Sequence, residues 1–133
     1  MTIFTKIAKG EIPSYKVAEN DEFYAFLDIN PLSKGHTLVI PKNVEDDYIF
    51  HLDDKTYDGL WKFAAKVAAA IKAAVPCQRV GVAVLGMEVP HTHIHLIPLQ
   101  TEGDMDFKKK RPEFTPEQQA QTAAAILKEY EKL

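Results

Sequence analysis

His91-Thr92-His93-Ile94-His95-Leu96-Ile97 alternates imidazoles with other side chains and is closed by Pro98. A β-strand sends successive side chains to opposite faces, so the three rings share one face while Thr92, Ile94 and Leu96 take the other. Ile94 and Leu96 suit a covered core, and the histidine face then forms the wall of a cleft. Upstream, Gly86 to Pro90 reads as a turn and Arg79 to Leu85 as a further strand.

Farther out, Tyr15 to Glu19 and Phe23 to Asp28 are strand-like runs joined at Asn20-Asp21. The turn formers Asn30-Pro31-Leu32-Ser33-Lys34-Gly35 lead into His36 to Ile40, a third strand ended by Pro41. Between Asp54 and Ala74, Leu60, Phe63, Ala64, Val67 and Ile71 recur at three- and four-residue steps, one face of a helix, with Pro76 just beyond. Thr115-Pro116-Glu117-Gln118 carries a capping box and opens a terminal helix to about Glu131. A short helical turn is expected at Phe4 to Lys9. This order departs from the regular strand-helix alternation of parallel sheets, so the expected class is α+β. It comprises an antiparallel sheet of about five strands, one long helix and a C-terminal helix. No repeat or linker divides residues 1–133, which read as a single domain.

The 133-residue length fits one hydrophobic core. A composition of 46% hydrophobic and 26% charged residues excludes disordered and fibrous classes. Sixteen Lys and Arg against nineteen Asp and Glu give a net charge of −3, which removes the general attraction for nucleic acid. Cys77 is the single cysteine and forms no internal disulfide. Met1 to Lys9 lacks the apolar run of a signal peptide, and no segment approaches the ~20 apolar residues of a membrane span. A cytoplasmic protein with neither membrane nor nucleic-acid partners is expected.

Three chemistries compete for the histidine face. The first is a solvated or hydrogen-bonded ladder with no catalytic duty. The second is metal binding, with Glu88, His36 or His51 as an added ligand. The third is nucleophilic catalysis at phosphorus, since a neutral imidazole attacks without first losing a proton while its neighbours donate to developing negative oxygens. His93, flanked on both sides, is the natural attacker. Gly86 would let backbone N–H groups approach a phosphate unobstructed.

The chain resembles the histidine triad (HIT) family of nucleotide hydrolases and transferases. His91 to Ile97 matches its His-φ-His-φ-His-φ-φ signature, apart from Thr92 at the first apolar place. Ile3-Phe4 with Ile7, Gly10-Glu11-Ile12-Pro13, Ala25 to Pro31 and Gly35 to Lys42 resemble further landmarks in the same order. The similarity covers roughly residues 1 to 100 and is strongest to the Hint-type, nucleoside-phosphoramidase branch. Residues 101–133, a loop and the C-terminal helix, lie outside the strongest resemblance.

The resemblance implies an enzyme that cleaves a nucleoside 5'-phosphoramidate or related conjugate to a nucleoside monophosphate through a nucleotidyl-histidine at His93. It implies that His95 contacts the phosphate or leaving group, and that His91 and His36 support the protonation network. It further implies ribose recognition by Asp28, a base pocket lined by Ile3, Phe4, Ile7, Phe26 and Ile29, and nucleotide contacts at Gly86, Glu88 and Val89. A purine nucleotide substrate, a homodimer with joined sheets, and no metal or other cofactor are expected. A dinucleoside polyphosphate hydrolase and a nucleotide-binding regulatory protein with weak catalysis stay open as alternatives.

Departures from the family bear on specificity. Many members carry Gly-Gln-Ser/Thr-Val where this chain has Gly86-Met87-Glu88-Val89, and an Asn that often contacts the nucleotide has no counterpart in Arg79 to Leu85. Thr2 and Thr5 stand where some relatives place a zinc-binding Cys-x-x-Cys. Lys108-Lys109-Lys110-Arg111, between Gly103 and Pro112, could attract an acidic leaving group or partner, but its place favours a solvated loop.

Overall fold

The computed structural model describes residues 1–133. Short β-branched and aromatic runs form β1 (Lys16–Glu19), β2 (Phe23–Leu27), β3 (Thr37–Pro41), β4 (Arg79–Ala83) and β5 (Ile94–Leu99). They make one antiparallel sheet in the order β1-β2-β3-β5-β4. At the β1–β2 hairpin, Asn20 Oδ1 accepts from the N–H groups of Glu22 (2.9 Å) and Phe23 (2.8 Å), the local bonding that makes Asn a turn former.

Three helices, α1 (Ile3–Ala8), α2 (Asp54–Ala74) and α3 (Pro116–Glu131), cover the sheet. Asp53 caps α2 by accepting from Thr56 N–H at 2.7 Å, and Thr115 with Gln118 forms the capping box of α3. On one sheet face, Ala25, Leu27, Val39, Ile94 and Leu96 pack with Leu60, Phe63, Val67, Ile71 and Ile126 from α2 and α3 in the main core. Full burial of each large apolar side chain contributes about 1.5–3 kcal/mol. The other face carries a smaller cluster in which Phe4 and Ile7 of α1 meet Tyr24, Phe26, Leu38 and Ile40. Because α1 is short, this face is only partly covered. No helix is long and apolar enough to cross a membrane.

The α+β class, the five strands and both long helices agree with the sequence reading, but β5 begins at Ile94 rather than His91 and runs through Pro98 to Leu99. The β3 ladder accounts for both ends. Its pairing with β5 covers Ile94, His95 and Leu96, and although β3 itself runs on to Pro41, that residue has no N–H to give to a longer ladder. Thr92 instead bonds to the Asp46 carbonyl through both its N–H (2.9 Å) and its hydroxyl (2.7 Å), which explains a Thr at an apolar place. Pro98 is tolerated because it pairs with Val80 of β4 where β3 has already ended. Likewise β4 stops at Ala83 instead of Leu85.

Candidate active site

The sheet register sets His95 opposite Leu38, on the face that α1 leaves partly open. His93 follows, its ring centroid 4.9 Å from that of His95. Phe4 of α1 packs edge-on to His93 at 5.0 Å and to His91 at 5.9 Å. His36 enters from the turn before β3 and lies 5.2 Å from His95, centroid to centroid.

Partners that only donate or only accept assign the ring protons. The His91 carbonyl accepts at 2.7 Å from His93 Nδ1, which therefore carries the hydrogen and leaves Nε2 as a bare lone pair. Leu32 N–H donates to His36 Nδ1 at 3.0 Å, so the neutral His36 ring bears its hydrogen on Nε2. That hydrogen points to His95 Nδ1 at 2.9 Å, which leaves the His95 hydrogen on Nε2. On the far side, His91 Nε2–H donates to the Pro41 carbonyl at 3.0 Å, and its Nδ1 accepts from the Thr2 hydroxyl at 2.7 Å. The pair therefore presents a lone pair at His93 and an N–H at His95.

Burial reinforces neutrality. It pushes His36 down to about 3 and His95 to about 4, with neighbouring imidazoles and Arg111 adding to both shifts. His93 is also lowered, mainly by burial, although the His91 carbonyl, Asp28 and Glu88 oppose the shift. Asp28 is raised by burial, against the Asn30 N–H, Arg111 and His93.

A cavity of about 560 Å³ opens beside His93 and His95. Its lining includes Ile3, Phe4, Ile7, Phe26, Asp28, Ile29, Gly86, Glu88 and Val89. Phe4, Ile7 and Phe26 also belong to the core, whereas Ile3 (51% exposed) and Ile29 (85% exposed) do not, so core packing does not explain those two. Gly86 has φ +71°, and a Cβ there would lie 2.9 Å from the Asp47 carbonyl oxygen, so the turn requires glycine. His36 and His91 are fully buried and do not line the cavity. Nor do they share a network, since His36 bonds to His95 whereas His91 bonds to Thr2 and Pro41.

The sequence model of the HIT domain matches residues 9–102. The chain belongs to the HIT family. An uncharacterized HIT-like protein of Borreliella burgdorferi is 41% identical to this HIT protein over 114 residues, 80% of this chain and 81% of the relative. The adenosine 5'-monophosphoramidase HNT1 of Saccharomyces cerevisiae is 39% identical over 102 residues, 75% of this chain and 63% of that enzyme. The crystal structure of a hypothetical histidine triad nucleotide-binding protein from Sulfolobus tokodaii aligns with a TM-score of 0.80 at 34% identity, covering 98% of this HIT protein and 92% of the other chain.

Three lining residues follow the HIT domain match: Phe107, Lys108 and Arg111. The solvated-loop reading of the basic run is thus corrected for Arg111, while Lys108 lines the cavity as an exposed side chain. Arg111 donates to the Asn30 carbonyl at 2.6 Å and to the Phe107 carbonyl at 3.0 Å, which turns the loop back onto the sheet. Phe107 packs edge-on to His95 with centroids 5.2 Å apart. The one sequence signal was an aromatic residue beside the charge run, which by itself points nowhere.

Asp28, His36 and His95 are the cluster whose ligand atoms lie close enough together for a cation. The donor chemistry does not fit. Leu32 N–H occupies the His36 Nδ1 lone pair, so a cation on Nε2 would require that ring to lose its remaining proton. His51, weighed as a ligand, lies 63% exposed beside Asp46 at 3.4 Å. In this HIT protein Thr2 and Thr5 enter a hydrogen-bonded chain instead: Thr2 donates to His91, and Thr5 donates to Glu45 Oε2 at 2.5 Å.

Proposed function

We propose that this protein is a nucleotide hydrolase that cleaves a nucleoside 5'-phosphoramidate, or a related conjugate, to a nucleoside monophosphate through a nucleotidyl-histidine at His93. The observation that carries the reading is the 2.7 Å bond from His93 Nδ1 to the His91 carbonyl, which leaves an Nε2 lone pair on a ring lining the cavity. In the first step Nε2 bonds to the α-phosphorus and the phosphorus–nitrogen bond breaks. The departing nitrogen collects one proton from solvent, with His95 Nε2–H as its hydrogen-bond donor. Water then adds hydroxide to phosphorus, the phosphorus–imidazole bond breaks, and the second water proton returns to solvent. Asp28 accepts the ribose hydroxyls, and Phe4, Ile7, Phe26 and Leu38 provide an apolar wall for a purine. Similarity to the yeast phosphoramidase supports this substrate class.

The test is rapid quenching with adenosine 5'-phosphoramidate followed by peptide mapping. An adenylyl group on His93 is expected, and its absence in a protein that releases AMP overturns the covalent scheme. A dinucleoside polyphosphate is the second reading, favoured by Lys108 and Arg111, which suit an anionic leaving group. Relative kcat/KM on the two substrates decides between them. A homodimer is proposed through β4, an edge strand on which Val82 is 49% exposed, and light scattering checks it.

A further inference from the structure

The cavity lining divides by charge along the chain. Up to residue 102 it contributes two carboxylates, Asp28 and Glu88, and no Lys or Arg. Both of its cations, Lys108 and Arg111, come afterwards. A nucleotide brings negative charge to neutral imidazoles and two carboxylates, an arrangement that repels it without a cation. Lys108 is an exposed side chain, whereas Arg111 is held. Its Nη1 donates to the Asn30 carbonyl at 2.6 Å and its Nη2 to the Phe107 carbonyl at 3.0 Å. Its guanidinium carbon lies 5.8 Å from the Phe107 ring centroid, and that ring packs against His95. Asn30 is tied in turn to Asp28, whose Oδ1 accepts its N–H at 2.8 Å. The guanidinium is thus held on the wall of the cavity that His93 and His95 also line, and its remaining hydrogens need little further ordering.

We infer that Arg111, from the segment beyond the HIT domain, is a catalytic residue that binds the nonbridging oxygens of the transferred phosphoryl group and stabilises their charge while His93 attacks. The Phe107 ring, packed on His95 and under the guanidinium, joins the two. This inference rests on the nucleotidyl-transfer reading above.

The test compares wild type with Arg111→Gln, Arg111→Lys and Lys110→Ala on adenosine 5'-phosphoramidate. Lys110 is exposed and outside the lining, so its loss controls for net charge. Arg111→Gln is expected to lower kcat and the rate of His93 adduct formation about 100-fold. Arg111→Lys, which keeps the charge and loses the fork, is expected to fall about 10-fold. Lys110→Ala stays within about twofold. A loop staple alone would lower the thermal midpoint of both Arg111 variants without a matching fall in the rate of adduct formation. A folded Arg111→Gln protein within about threefold of wild-type kcat overturns the inference. Should that variant fail to fold, a wild-type rate in Arg111→Lys overturns it equally. Wild-type protein that neither forms the adduct nor releases AMP overturns the reaction itself, a distinguishable failure.

Discussion

His93 Nδ1 donates to the main-chain carbonyl of His91, two residues earlier in the chain, over 2.7 Å. The acceptor belongs to the backbone, so the ring orientation does not depend on another residue's protonation state. His93→Ala removes the lone pair, and turnover and covalent adduct are both expected to vanish. The variant still folds, at a cost of about 1–3 kcal/mol for a buried ring packed against Phe4, measured by chemical denaturation.

Stability should fall with acid. His36 titrates at about 3 and His95 at about 4 when folded, below the ordinary 6.5 of an unfolded chain. Between those values the unfolded chain binds more protons, so stability is complete above pH 6.5 and declines as the pH drops toward 3. His36 alone accounts for on the order of 2–3 kcal/mol at pH 4.5. Melting curves at pH 7 and 4.5 check this, and equal midpoints would contradict it.

The acid limb of turnover is a separate expectation. His93 is lowered by burial, so its lone pair survives below the ordinary histidine range. The logarithm of kcat/KM against pH should therefore bend below 6.5, whereas a bend above that value would place a different group in control.

Thr2→Val removes the hydroxyl that donates to His91 Nδ1 and that also caps α1 by accepting from Thr5 N–H at 3.0 Å. A buried ring nitrogen is then left without its donor, at an expected cost of about 1–3 kcal/mol by urea denaturation. His93 activity should change less than stability does, because the His93 bond runs to the His91 carbonyl rather than to its ring.

Gly86→Ala meets two obstacles, the positive φ and the Asp47 carbonyl 2.9 Å from the new Cβ. A loss of about 1–3 kcal/mol is expected, with a larger effect on KM than on thermal midpoint because Gly86 lines the cavity. An unchanged KM would mean that this turn does not contact substrate.

Much of the fold was legible in local pattern. The α2 face from Leu60 to Ile71 and the capping box at Thr115 are read from neighbours a few residues apart, and both appear where expected. Strand ends were less legible, because Ile94 starts β5 only where Val39 of β3 lies opposite it. The pairing of His36 with His95 spans 59 positions, and Arg111 reaches Asn30 across 81. No periodicity links residues at such separations, so neither the His36–His95 bond nor the return of Arg111 to the sheet is legible in local pattern.

The amino-acid order by itself pointed to a shared side for His93 and His95, which both line the cavity, because side chains two positions apart in extended backbone face the same way. It also determined that long helices would cover an antiparallel sheet. Only the tertiary structure decided which ring nitrogen is bare and which carries hydrogen, and that Lys108 and Arg111 return to a cavity otherwise charged by carboxylates. Proton placement and local field depend on what stands within a few ångströms, and distant parts of the chain come that close only through folding.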